Sequence, residues 1–201
     1  MEFERKKNRL GMDEYFGRKR YFVTTCCRDR RELFRRAQTA AAIAESLREE
    51  ADRCGFVVHA YCVMPDHVHF LVEGNSDASD LIRFVKSFKQ VTSFACRSRV
   101  GGPLWQRSSY DHILRGQDSL ADVAWYIWMN PVRKGMCEDP RDYPFSGTFS
   151  AAWPEFRPAE TWVPPWKAKI EVIRRKGQVE ASRPGRARFR PPLRKTRNRK
   201  G

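Results

Sequence analysis

The sequence predicts an α+β, ferredoxin-like domain: a mostly antiparallel four-stranded sheet with helices packed on one face, followed by a basic C-terminal tail. Three observations predict it. Runs rich in β-branched and aromatic residues recur between polar stretches and read as four strands. Apolar residues at helical spacing fill the gaps between them. The resulting order, β-α-β-β-α-β-α, is that of a split βαβ unit with a further helix.

A charged arm spans residues 1–19 and leads into Arg20-Tyr-Phe-Val-Thr-Thr-Cys-Cys27, the first strand. Ala37 to Cys54 holds five alanines between Ala37 and Ala44 and reads as a helix that Gly55 ends. Phe56 to Met64 and His67 to Val72 form a hairpin around the turn residues Pro65-Asp66. Ser79 to Arg99 places Leu81, Phe84, Val85, Phe88, Val91 and Phe94 at helical spacing, with Arg83, Lys86 and Lys89 on the polar side. Gly101-Gly-Pro103 breaks the chain before a fourth strand within Leu104 to Arg115. Asp118 or Ser119 caps the last helix, which Asn130-Pro131 ends or bends.

The core domain is thus residues 20–150. Beyond it, Trp153, Trp162 and Trp166 among four prolines suggest an extended segment over residues 151–182. Residues 183–201 carry nine basic side chains and no acidic one, a composition expected to be disordered when free and drawn to phosphate.

Length allows one well-buried domain with an appendage rather than two domains, at 201 residues. Lys and Arg number 39 against 24 Asp and Glu, a formal charge of +15, and 6 Trp and 13 Phe are interleaved with them. Cations neutralise phosphates and aromatic rings stack on bases, so single-stranded nucleic acid is the first expected partner. No run approaches the roughly 20 apolar residues that span a bilayer, and Met1-Glu-Phe-Glu-Arg-Lys-Lys lacks the apolar core of a signal peptide. A cytoplasmic location with no membrane partner is expected. The six cysteines show no Cys-x-x-Cys pairing and read as buried reduced thiols.

His67 and His69 lie one residue apart in an apolar run, so in a strand their imidazoles share a face. Two neutral imidazoles supply half a coordination sphere for a divalent cation. The alternative is a partly exposed strand face packed with semi-polar rings. In the last helix Tyr126 and Asn130 are four apart and share a face. A phenol is a poor nucleophile at its ordinary pKa of about 10, and a metal that polarises a phosphodiester would help it attack. The alternative is a core aromatic followed by a helix stop.

Taken together, Pro65-Asp-His-Val-His-Phe, Leu104-Trp-Gln-Arg, Tyr110-Asp-His-Ile-Leu-Arg and Tyr126-Ile-x-x-Asn-Pro-Val-Arg resemble the single-tyrosine HUH transposases, in particular the branch associated with repetitive extragenic palindromes. The resemblance covers roughly residues 15 to 150. It implies that His67 and His69 bind Mg²⁺ or Mn²⁺ with Asn130 as a third, oxygen ligand. It further implies that Tyr126 attacks single-stranded or hairpin DNA to give a 5′-phosphotyrosine and a free 3′-hydroxyl. Relatives occur as monomers and as homodimers with exchanged helices, so Tyr126 completes either its own chain's site or a neighbour's.

Candidate nucleic-acid contacts are Lys86, Lys89, Trp105, Arg107, His112, Arg115 and Arg133. Trp105 could instead close the core, and His112 could pack. Asp66 either orients a ligand histidine or serves the turn. His59 is expected to pack in the core. The function expected is metal-dependent nicking and strand transfer on DNA. Two rivals are a non-catalytic DNA-binding protein and an RNA-binding module built on an open sheet.

Overall fold

A computed structural model describes residues 11–150 apart from Gln117. The first ten residues of the charged arm, the Trp/Pro-rich extension and the basic tail lie outside the described residues.

The elements follow the expected order. β1 is Arg20–Cys27, α1 Ala37–Cys54, β2 Phe56–Met64, β3 His67–Gly74, α2 Leu81–Val100 and β4 Trp105–Ile113. α3 is Leu120–Trp128, α4 Asn130–Arg133 and β5 Ser146–Gly147. The sheet runs β4-β1-β3-β2-β5, antiparallel throughout. Gly55 closes α1 in the left-handed region at φ 73°, where a Cβ would be disfavoured. Asp80 and Ser119 cap α2 and α3 by accepting from the Arg83 and Asp122 amides.

The four-strand expectation is met and extended by β5, a two-residue edge strand on β2. A second difference concerns the layers. α1 and α2 cover one sheet face, burying Tyr21, Val23, Val68, Phe70, Val72 and Phe88 in the main core. α3 packs on the other face, against β2 and β3, so the helices are not confined to one side. The cause is visible in β3, whose Val68 to Val72 run is buried without alternation; a strand apolar on both faces needs cover on both. α3 matches it, being buried from Val123 through Trp128.

Part of the charged segment before β1 is held to the sheet. Tyr15 is buried and donates to Asp111 at 3.0 Å, tying residues just before β1 to β4. His59 does not join the core: it is half-buried where the β2–β3 register shifts, with Nε2 2.8 Å from Glu73 Oε2. All six cysteines are unpaired thiols, of which Cys27, Cys62 and Cys96 are buried. No helix among the described residues is long and apolar enough to cross a membrane.

Candidate active site

β3 begins immediately after the Pro65-Asp66 turn, and its alternation sends His67 and His69 to the face covered by α3. The two rings meet edge to face, with Nε2 atoms 3.0 Å apart. Each ring is fixed through its other nitrogen. His67 Nδ1–H donates to Asp66 Oδ1, whose second oxygen accepts from Arg30 at 3.3 Å. Thr24 Oγ1 shares a hydrogen bond of 2.7 Å with His69 Nδ1, across the register pair Thr24 and His69. Phe22 stacks on His69 at 5.5 Å between centroids.

Electrostatics keep the second imidazole uncharged. Burial, reinforced by His67, Arg133 and Arg30, pushes the His69 pKa well below its ordinary value, against the opposing pull of Asp66. The Asp66 carboxyl is held down to about 2, chiefly by the hydrogen bond from His67.

This donor set fits a divalent cation. Two ring nitrogens facing each other at 3.0 Å, each offering a lone pair when the proton sits on Nδ1, match the span between adjacent ligands roughly 2.1 Å from an octahedral ion. Oxygen partners on both Nδ1 atoms are the usual outer support of metal-binding histidines. Among the described residues no third His, Cys, Asp or Glu joins the pair, so any remaining positions fall to oxygen ligands such as a side-chain amide, water or phosphate.

α3 brings Tyr126 to the same place. Its ring is 6.5 Å from that of His69 and 6.1 Å from Phe22, and it is only 8% exposed. Burial raises the phenol pKa, and the charge of Arg133 and a hydrogen bond from it work in the opposite direction. The Arg133 guanidinium lies over the ring, 4.2 Å from its centroid, and also donates to the Tyr126 carbonyl.

Asn130 opens α4, separated by one residue from the end of α3. Pro131 has no N–H to give the Ile127 carbonyl, and Asn130 Nδ2 donates to both Tyr126 O and Ile127 O at 3.0 Å. The side-chain amide thus replaces a missing backbone donor and is held with its nitrogen towards α3.

The other candidates divide. Lys86, Arg107 and Arg115 are exposed. Lys89 is half-buried, with Nζ donating to the Gln106 carbonyl at 2.7 Å, and its pKa is lowered by burial. Trp105 packs against Phe34 and Phe88 and donates to Thr92, so its burial is explained by core closure. His112 Nε2 lies 3.1 Å from Asp118 Oδ2, in the loop that leads to α3. Thr24, Phe22 and Arg30 escaped the sequence reading. The β1–β3 register would have found the first two, since it sets Thr24 opposite His69 and Phe22 opposite Leu71 on the same face.

Comparison with known proteins agrees with this architecture. The family described as "Transposase IS200 like" matches residues 16–130. The chain is 31% identical over 129 residues to the REP-associated tyrosine transposase of Escherichia coli K12, covering 63% of this chain and 74% of that one. It is 27% identical over 154 residues to a Haemophilus influenzae protein provisionally named a REP-associated tyrosine transposase, covering 71% and 86% of the two chains. A solved REP-associated tyrosine transposase bound to a REP hairpin superposes with a TM-score of 0.63 at 21% identity, over 79% of this chain and 95% of that one. With the family matched from β1 through the tyrosine-bearing helix, this chain belongs to the IS200-like transposases and is a DNA transposase of the single-tyrosine type.

Proposed function

We propose that the protein nicks and rejoins single-stranded DNA beside a hairpin formed by a palindromic repeat, working in the cytoplasm through a 5′-phosphotyrosine on Tyr126. The observation that carries this reading is the Tyr126 ring set 6.5 Å from His69, whose Nε2 converges with that of His67. The relatives' names and the hairpin bound to the solved neighbour support the choice of DNA.

In this mechanism Tyr126 Oη forms a bond to phosphorus as the bond from phosphorus to the 3′-oxygen breaks. The phenol proton passes to solvent, and the departing oxygen takes up a proton to become a free 3′-hydroxyl. The phosphotyrosine ester conserves the bond energy, so rejoining needs no ATP. Arg133 favours the phenolate by placing a cation over the ring, and the same positive charge suits the negative charge that builds on the phosphoryl oxygens. Asp66 and Thr24 hold the imidazoles in place.

His67 and His69, with the Asn130 amide oxygen, would hold Mg²⁺ or Mn²⁺, which when bound polarises the phosphodiester and stabilises the leaving oxygen. Imidazole nitrogen suits Mn²⁺ in vitro, and abundance favours Mg²⁺ in the cell.

The test is incubation with Mn²⁺ and labelled hairpin oligonucleotides made from palindromes flanking the gene, resolved on denaturing gels. A protein-linked product that disappears in Tyr126→Phe and His67→Ala is expected. Tight binding without any adduct would move the assignment to a non-catalytic DNA-binding protein.

A further inference from the structure

A cavity of about 510 Å³ opens beside His67, between three segments. Its walls come from the end of β2 and the following turn, from residues 30–35 after β1, and from residues 134–145 after α4. Backbone bonds fix these segments to one another: the Phe34 amide donates to Pro65 O, and the Val63 amide donates to Phe145 O. Tyr143 Oη adds a bond to Val63 O at 2.8 Å. The cavity is therefore preformed.

Its chemistry is mixed in a particular way. Phe34, Met64, Met136, Tyr143 and Phe145 give it an apolar lining, and Met136 is 44% exposed although large and hydrophobic. Arg30, Arg35 and Lys134 also line it. Its two carboxylates each carry an arginine: Arg30 bonds Asp66, and Arg35 bonds Glu32. Arg30 reaches Asp66 from a backbone in the left-handed region, with Asp29 and Arg30 both at φ 55°. That conformation is disfavoured for a residue with a Cβ, and here it holds the guanidinium at the seam between the cavity and His67.

We propose that this cavity seats one unpaired nucleotide next to the phosphate that Tyr126 attacks, and so sets the position of the cut. The inference rests on the strand-transfer reading above. A flat apolar base fits walls of methionine and aromatic side chains, as in other single-strand binders. Lys134 meets its phosphate, and the Arg35–Glu32 pair offers donors and a carboxylate to a base edge. Because His67 is itself part of the lining, a base held here fixes the neighbouring phosphate against the imidazole pair.

The test is a binding scan without metal, using the full chain and hairpin oligonucleotides in which each flanking single-stranded position in turn is made abasic. Anisotropy of a labelled oligonucleotide reads the affinity. One position is expected to lose about tenfold or more in affinity when its base is removed. Met136→Trp, which fills the cavity from its exposed rim, should make the intact and abasic oligonucleotides bind alike. Met136→Ala should reduce the penalty several-fold. A scan with no sensitive position, or a penalty that stays the same in both variants, would overturn the proposal. The adduct assay separates the two failures: an adduct with pocket-independent binding rejects the cavity alone, and a pocket-dependent penalty without any adduct rejects only the cleavage reading.

Discussion

Thr24 Oγ1 lies 2.7 Å from His69 Nδ1, a bond across the β1–β3 pair that leaves Nε2 as the nitrogen turned towards His67. Valine has the same shape without the hydroxyl and suits a strand. Thr24→Val should therefore fold as the parent does and bind Mn²⁺ about 10- to 100-fold more weakly, the usual effect of losing an outer-shell partner. Calorimetric titration with Mn²⁺ measures it, and unchanged affinity would show that Thr24 does not orient the ligand.

The phenol of Tyr126, protonated at neutral pH even at its ordinary pKa of about 10, is pushed further up by burial, and Arg133 restrains that rise. In the proposed mechanism the phenolate attacks, so adduct formation should accelerate with increasing pH. Arg133→Ala removes the opposing cation, so the rising limb of the rate profile should move to higher pH, with the rate at pH 7 falling about tenfold per unit of displacement. A lower rate with an unmoved profile would assign Arg133 to substrate binding alone.

Element order and most element ends were legible in the sequence because the signals were local: alanine density in α1, glycine after α1, and the Pro65-Asp66 turn. The imidazole pair was legible for the same reason, as both histidines sit on one strand. What surrounds them was not. Thr24 meets His69 through a strand pairing separated by 45 residues, and Arg30 reaches Asp66 only because its backbone turns left-handed. The second face of the sheet was missed because an unbroken apolar run in β3 is equally compatible with one covered face or two until α3 is placed. Trp105 illustrates the converse: the sequence left it open between stacking on DNA and closing the core, and in the fold it packs against Phe34 and Phe88.

Asp66 links the site to acid stability. Its folded pKa, about 2, lies below the usual carboxylate range, with the hydrogen bond from His67 the main cause. A depressed carboxylate contributes stability fully above its unfolded pKa near 3.9 and loses it as the pH falls through the folded value. Asp66→Asn lacks the contribution at any pH. The gap in thermal stability between parent and variant should be roughly 1 to 2 kcal/mol at pH 5 to 7, narrowing between pH 4 and 2. A gap that stays constant over that window would mean the carboxylate's charge is not what stabilises.

Core and surface candidates for DNA contact should separate cleanly by salt dependence. Trp105→Ala leaves a cavity between Phe34 and Phe88 and removes the indole N–H that the Thr92 hydroxyl accepts from, costing about 3 to 5 kcal/mol of stability. Arg107→Ala and Arg115→Ala, both exposed, should leave the melting temperature within a degree or two. Each should reduce the slope of log affinity against log salt by about 1 if it contacts a phosphate. An arginine variant with the parent slope would show a solvated charge rather than a phosphate contact.

Asn130 has two assignments, and one substitution tells them apart. Its amide nitrogen donates to the Tyr126 and Ile127 carbonyls, a structural task, whereas a metal would use its oxygen. Asn130→Asp keeps an oxygen ligand and removes the donor, facing a carboxylate towards two carbonyls. It should lose about 1 to 3 kcal/mol of stability while retaining Mn²⁺-dependent adduct formation at a temperature where it is folded. Asn130→Ala should lose both the stability and the activity. If the aspartate variant is as inactive as the alanine variant when folded, the oxygen is not a ligand, and Asn130 acts by holding the end of α3 so that Tyr126 stays beside His69.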